Sequence, residues 1–304
     1  MLAFACVVAS FVYAVHGVAP GAAATVQAVR RAVLLADASY CAPGPFAAGD
    51  WSCPPCRDLG GVSSVHVSTN ESYGTLLLSA YDSVLGVGVL AFRGTDNDLN
   101  RRDVLDFVHE TSWWAPGSVH RGMLVSYSSL QAAAFAAVRR LQAVHGRHFR
   151  DVVVTGHSFG GVQAAFATLD LAANFSSLTF HKLTFGEPRH GDETYASYLA
   201  SVARPLNFVS QLRVTHRHDI VPRMCGSISN MTFPCPEWRH TPHELWEKEV
   251  GGILEMCSSA AGEDVRCIGS VPARLLNWDD HDLYLGRTML CCDDLGSCSS
   301  GAPN

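Results

Sequence analysis

Ten residues, VVVTGHSFGG at 152–161, have the types and spacing of a serine nucleophile. Gly156, Ser158 and Gly160 form G-x-S-x-G between a β-branched run and a stretch of small apolar residues, the strand–turn–helix context this pattern requires. The serine must stand in a sharp, strained turn, so the residues two places to either side can have no bulk. Gly156 and Gly160 meet that demand, and Gly161 lets the helix pack closely. Ser158 then lifts its hydroxyl above a sheet. The N–H of Phe159, at a helix N-terminus, points to where an oxyanion would form. A glycine-rich turn with an incidental serine is the bland alternative, which the flanking strand and helix disfavour. His157 cannot reach its neighbour's hydroxyl and is expected to pack or hydrogen-bond beneath the turn.

A serine hydroxyl is a weak nucleophile at neutral pH and needs a base, itself oriented by a carboxylate. In sheets of this kind the chain order is Ser, then Asp or Glu, then His. Asp219 follows the run FVSQLRVTHRH and opens the turn DIVP, at the carboxyl end of an expected strand, where such groups lie. Asp170 lies within the elbow helix and points the wrong way, and Glu187 and Asp192 come too early in the strand order. Among 14 histidines, His216 and His218 sit on the Asp219 strand end, whereas the base must arrive from a separate loop. His281, in the polar loop NWDDHDLYLG, is the first candidate, with His240 and His243 still open on position alone. A metal site is the sharper but weaker alternative. The chain has no H-E-x-x-H and no paired C-x-x-C sets, and the lone Cys53-Pro54-Pro55-Cys56 fits a disulfide framework better.

The elements needed to position these groups can be read in outline. Helical spacing of apolar residues predicts helices over 25–40, 119–140, 158–173 and around 193–202. Strands are expected at 74–82, 84–92, 151–155, 178–185 and 208–215. DVVVT at 151–155 has the continuous apolar run of a strand buried on both faces. Strands alternating with helices imply an α/β protein with a mostly parallel central sheet flanked by helices. The region 224–304 is irregular and cysteine-rich, and is expected to be a disulfide-containing C-terminal elaboration of the same domain.

Composition excludes other classes. The 304 residues are 48% hydrophobic and 16% charged, against the roughly 25% charged of an average domain, which argues against disorder. A net charge of −6 without dense Lys/Arg blocks disfavours nucleic acid as a partner. The apolar run 2–15 is too short to span a bilayer and has the length of a signal-peptide core, although it lacks a preceding basic residue. A leader at 1–17, with cleavage anywhere from 17 to 24, is therefore expected, followed by a single domain over 25–304. No transmembrane segment is expected in the mature chain. Cleavage would remove Cys6 and turn 11 cysteines into an even ten, as suits a secreted protein. Sequons at Asn70, Asn174 and Asn230 agree with export. Cys225–Cys235 and Cys257–Cys267 each flank a short loop and are expected as local disulfides.

Several separated blocks together resemble the class 3 lipases, the fungal, Rhizomucor-like family of the α/β-hydrolase superfamily. AFRGT at 91–95 resembles its oxyanion loop, GHSFGG at 156–161 its nucleophile elbow, TFGEPRHGD at 184–192 its G-x-P-R-x-G turn and HDIVPR at 218–223 its acid block. SVHRGM at 118–123, HTPHELW at 240–246 and DDHDLYLG at 279–286 support the likeness, which covers about residues 25–290. The resemblance implies an α/β-hydrolase fold. It also implies Ser158 as nucleophile, Asp219 as orienting acid and His281 as base, because His240 falls on a non-catalytic block. Thr95 matches the oxyanion-loop position, where its backbone N–H would join that of Phe159. The family ties an N-terminal cysteine to one beyond the histidine, which implies a bond from Cys41 to one of Cys291, Cys292 and Cys298.

The implied activity is that of a secreted serine carboxylester hydrolase, a triacylglycerol lipase first. Phospholipase A1 or a soluble-ester, feruloyl-type esterase is the near alternative, and a non-catalytic lipid- or partner-binding protein the remote one. No cofactor or metal is expected. The expected partner is an acyl ester or lipid, with a lipid–water interface as one setting. The lid segment departs from the family: 96–114 is charged at its start, places Asp103 near the usual tryptophan, and carries Trp113 and Trp114. That pair is expected to pack or line a pocket, with insertion into a lipid surface as the alternative.

Overall fold

The computed structural model describes residues 15–16, 22–41, 46, 51–104, 106, 108–146, 149–202, 211–224, 238–250, 254–257 and 262–292. In chain order, strand β1 (Val15–His16) precedes helix α1 (Ala22–Cys41) and the single turn α2 (Pro54–Arg57). The antiparallel strands β2 (Val62–Asn70), β3 (Thr75–Asp82) and β4 (Val87–Phe92) follow. Helix α3 (Asp98–Val104) and the hairpin β5 (His109–Thr111) and β6 (Ser118–His120) lead into the long helix α4 (Arg121–His145). Then come β7 (Asp151–His157), α5 (Phe159–Asn174), β8 (Thr179–Phe185), α6 (Glu193–Val202) and β9 (Gln211–His216). Strands β10 (Glu244–Glu247) and β11 (Leu254–Met256) complete the main sheet.

That sheet has nine strands in the order β1-β11-β10-β9-β8-β7-β4-β3-β2. Its centre, β4-β7-β8-β9-β10, is wholly parallel. Parallel strands need crossovers, which cover both faces, and these five strands are buried almost end to end. Side chains alternate accordingly. Val152 and Val154 pack toward α4 and α5 with Tyr127, Leu130, Val162 and Phe166. Val153 faces α1, packing with Ala28, Val29, Ala32 and Leu183. Helix α5 is buried over Phe159–Leu171, on all sides rather than along one stripe. This is the α/β-hydrolase fold, with a mostly parallel sheet between helical layers. Among the described residues, no helix is long and apolar enough to cross a membrane.

The structure corrects the expected elements in three places. Strand β2 was not expected, because VSSVHVSTN is rich in Ser and Thr and a register shift between Ser63 and His66 breaks its alternation. The strand expected from residue 84 starts at Val87. Asp82 Oδ1 accepts the N–H groups of Val84 (2.9 Å) and Leu85 (3.2 Å), and Gly86 adopts φ +70°, so 83–86 form a turn. The C-terminal region is not wholly irregular. ELWE at 244–247 and LEM at 254–256 extend the sheet, the former with both glutamates buried. A buried carboxylate in a sequence reads like a surface one, and that hid β10.

Disulfides fasten this frame. Cys41, at the end of α1, bonds Cys291, and beside that bond Asp37 Oδ1 accepts the Cys291 N–H at 2.8 Å. Closing so long a loop is worth on the order of 5 kcal/mol in the chain-entropy account. Cys53–Cys56 and Cys257–Cys267 are also bonded, and Cys292 is held in a disulfide. Cys6, Cys225, Cys235, Cys298 and Asn230 lie outside the described residues. Asn174 is exposed at the end of α5, and half-buried Asn70 donates to the Ser129 carbonyl at 3.2 Å.

Candidate active site

Ser158 lies between β7 and α5 with φ +57° and ψ −127°, a strained conformation for a residue with a side chain. The turn is held on both sides: Ser158 N–H donates to the Phe185 carbonyl at 2.8 Å, and its own carbonyl accepts Gly161 N–H at 2.9 Å. The flanking glycines are sterically required. A Cβ on Gly156 would sit 2.3 Å from the Gly160 carbonyl oxygen, and one on Gly160 would sit 2.2 Å from that of Phe92. Gly161 is less demanding, its nearest neighbour being Glu187 Cβ at 3.2 Å.

Three side chains from distant parts of the chain meet here. Ser158 Oγ is 2.8 Å from His281 Nε2, and His281 Nδ1 is 3.0 Å from each oxygen of Asp219. Asp219 is fully buried, His281 nearly so, and Ser158 half-exposed. An ionised Asp219 can only accept, so Nδ1 carries the proton and Nε2 is left to accept from the serine hydroxyl. Two further donors hold Asp219: the Val221 N–H on Oδ1 (2.8 Å) and the Tyr284 hydroxyl on Oδ2 (2.5 Å). Burial and the Asp219 charge push the Tyr284 phenol far above its ordinary range, so it remains a donor.

The loop carrying His281 is tied to the loop carrying Asp219. Asn277 N–H donates to the His218 carbonyl at 3.0 Å, Ile220 N–H donates to the Asn277 carbonyl at 3.2 Å, and Asp280 Oδ2 accepts His218 N–H at 3.2 Å. His157 supports His281 from below. Its Nε2 donates to the His281 carbonyl at 2.8 Å, and its Nδ1 accepts from the Tyr40 hydroxyl at 2.9 Å. Burial, aided by nearby His281, drives His157 down to about 3, so it is a neutral strut. Gly186, at φ +58°, closes the group: a Cβ there would stand 3.0 Å from His281 Cε1 and 3.1 Å from Asp219 Oδ2.

Phe159 opens α5, so its N–H has no acceptor within the helix. Thr95 follows Gly94, which leaves no room for a Cβ against the Tyr40 hydroxyl (2.0 Å) and the His157 carbonyl (2.6 Å). The loop 93–95 is thereby pressed onto the elbow. The other histidines serve elsewhere. His216 Nδ1 donates to the Asp280 carbonyl at 3.0 Å, His240 is buried with its N–H on Glu263, and the His243 carbonyl accepts from Arg213 N–H. Asp170 accepts from Tyr127 and Gln131, and Asp192 from Tyr195 N–H at the start of α6. Glu244, Cys257 and Cys267 bring their side-chain O and S atoms within 4.8 Å of one another, but the two sulfurs are bonded to each other.

The lid segment forms α3, held by polar contacts. Asp103 accepts from Ser126, Asn100 Nδ2 donates to the Tyr73 carbonyl at 3.0 Å, and Arg121 grips Asp106 through two bonds of 2.8 and 2.9 Å. The expectation for the tryptophan pair holds for only one of them. Trp114 is buried against Phe166 and Tyr195, whereas Trp113, at the tip of the β5–β6 hairpin, is 66% exposed. Tyr284, Tyr40 and Gly186 are the contributors that sequence reasoning missed. Tyr284 lies three places past His281, within the same block, and was open to being found there.

The arrangement can deprotonate a serine and hold an acyl oxyanion, which is the chemistry of acyl transfer. Comparison with known proteins points the same way. The class 3 lipase profile matches residues 89–228. The lipase of Rhizopus niveus is 29% identical over 249 residues, 78% of this chain and 58% of that protein, so the chain spans less than two thirds of its length. Among solved structures, the lipase of Rhizopus microsporus var. chinensis superposes with a TM-score of 0.74 at 26% identity, covering 88% of this chain and 89% of that one. The triacylglyceride lipase of Rhizomucor miehei gives 0.71 at 26% identity, covering 88% and 96%. With the profile running through the Gly94 loop, the elbow and the Asp219 turn, and the fold shared almost end to end with these enzymes, the chain is similar to the class 3 lipases in both sequence and fold.

Proposed function

We propose that the protein is a secreted serine carboxylester hydrolase that cleaves acyl esters, triacylglycerols first. The observation that carries this reading is the relay from half-exposed Ser158 Oγ through His281 to buried Asp219. Ser158 Oγ attacks the ester carbonyl while His281 Nε2 takes its proton. Asp219 stabilises the imidazolium, and the N–H groups of Phe159 and Thr95 hold the oxyanion. The C–O bond to the alcohol then breaks, Nε2 gives its proton to the departing oxygen, and the acyl group remains on Ser158. Water attacks the acyl-enzyme by the same route and releases the acid. No step requires a cofactor. The Rhizopus and Rhizomucor relatives, named as lipases, support the substrate class.

The charged, hydrogen-bonded lid favours a second reading on the same scaffold, a phospholipase A1 or feruloyl-type esterase that needs no apolar interface. The leader at 1–17 and the single domain over 25–304 belong to the same proposal. The β1 pair of Val15 with Leu254 at the sheet edge would then be absent from the mature chain. Asn70, Asn174 and Asn230 would be the glycan acceptors. A fluorophosphonate probe should label the wild type and not Ser158→Ala. Labelling of both proteins alike would reject the assignment. Hydrolysis of emulsified triglyceride, phospholipid vesicles and a feruloyl ester, above and below each solubility limit, separates the substrate readings.

A further inference from the structure

The loop that delivers His281 also presents a large aromatic side chain to solvent. Trp278 stands three residues before His281, and its indole is 56% exposed. It meets the His281 ring edge-on, with centroids 6.1 Å apart and planes at 81°. Its position is fixed by the backbone. The Trp278 carbonyl accepts the His281 N–H at 2.9 Å, and neighbouring Asn277 is pinned to residues on both sides of Asp219. Asn277 Oδ1 also accepts Asp280 N–H at 2.8 Å, and Asn277 Nδ2 donates to Asp280 Oδ2 at 3.0 Å. An exposed indole on so constrained a loop, in contact with the reacting imidazole, is more than a stray surface aromatic.

Resting on the hydrolase reading, we propose that Trp278 is a specificity-determining wall for the alcohol half of the ester. The reaction itself sets the orientation. The acyl oxygen goes to the N–H groups of Phe159 and Thr95, on the elbow side of Ser158. The departing alcohol oxygen must come within hydrogen-bond reach of His281 Nε2, because that atom supplies its proton. A surface packed on the His281 ring therefore meets the alcohol and not the acyl chain. The indole face offers flat apolar area, suited to aromatic and multi-carbon alcohols, and takes no part in proton transfer. Once the alcohol has left, the wall has nothing to bind, so its contribution belongs to acylation and not to deacylation.

The test uses the mature protein, Trp278→Ala and Trp278→Phe, with two substrate series. Benzyl and methyl butyrate differ only in alcohol; methyl butyrate and methyl decanoate differ only in acyl chain. In Trp278→Ala the benzyl-to-methyl ratio of kcat/KM falls about tenfold, and the butyrate-to-decanoate ratio stays within about twofold. Trp278→Phe restores most of the alcohol ratio. A uniform fall across all three esters leaves both ratios in place and means that Trp278 only props His281, which overturns the proposal. So does an acyl ratio that moves while the alcohol ratio stays. A wild type that hydrolyses none of the esters and resists the fluorophosphonate probe rejects the hydrolase reading itself, a separate outcome.

Discussion

Two buried polar clusters lie near the carboxyl ends of neighbouring parallel strands, and only one of them has an open end. In the first, Tyr284, Asp219 and His281 lead to half-exposed Ser158. In the second, Lys182 of β8 donates to Glu187 Oε2 at 2.6 Å and to Thr241 Oγ1 at 2.7 Å, while Thr184 and Thr241 donate to Glu187 Oε2 and Oε1. Burial alone would raise the Glu187 carboxyl, yet Lys182 and His190 beside it hold it down at about 2. Both clusters use an acid, a cationic or basic partner and a hydroxyl. The second closes on itself inside the protein and can only brace the frame on which Gly186 and the Asp219 turn sit. The first keeps one hydroxyl at the surface, where a substrate can replace a partner. Residue type therefore does not separate the open cluster from the closed one; access does.

The comparison predicts opposite outcomes for two substitutions. Ser158→Ala should lower turnover on the order of 10⁵-fold or more and leave the melting temperature in place. Glu187→Gln strands Lys182 in a buried site and should cost about 3–5 kcal/mol, or about 10 °C in Tm. Turnover per fluorophosphonate-titrated site should then stay within about twofold. Melting curves and active-site titration on both variants check this. A Glu187→Gln protein that melts normally but has lost turnover per site would place the closed cluster in the reaction and break the distinction.

Acidity probes the closed interior more gently. Burial lowers His157, to about 3, and also His190, His216 and His240. The unfolded chain takes up these protons near pH 6.5 and the folded protein does not, so falling pH favours unfolding. This stability is complete above about pH 6.5 and is lost on acidification toward 3, at most about 1.4 kcal/mol per pH unit for each histidine. Tm should fall between pH 7 and 4, and His240→Gln should make that fall shallower. A flat Tm profile in wild type would mean that the folded protein carries these protons.

How much could be read without coordinates follows the same division. The elbow was legible because sterics dictate it: no residue but glycine fits where Gly156 and Gly160 stand. Strand β7 was legible as an unbroken apolar run, VVV at 152–154. Asp219 and His281 needed chain order and family likeness, since 14 histidines left the base open on position alone. Strand β10 escaped notice because Glu244 and Glu247 are buried, and a pattern of polar and apolar residues reports burial only when charges stay outside. The Lys182–Glu187 pair and the Tyr284 contact escaped for the same reason. Each is a polar group inside, and its partner is set by the fold and not by its neighbours in sequence.

The smallest predicted effect tests how finely the open cluster is tuned. Tyr284 donates to Asp219 Oδ2, an oxygen that His281 Nδ1 also approaches, so the phenol and the imidazole share one acceptor. Removing the hydroxyl in Tyr284→Phe keeps the ring in its packing against Phe185 and His157 and takes away one charge-assisted bond. Such bonds are worth about 1.5–3 kcal/mol, much of it recovered when the partner retains other donors, as Asp219 does through Val221. A fall of about tenfold in kcat/KM is expected, with fluorophosphonate labelling slowed in proportion. An unchanged kcat/KM and an unchanged labelling rate would reduce Tyr284 to a packing residue and leave the Asp219–His281 pair to act without it.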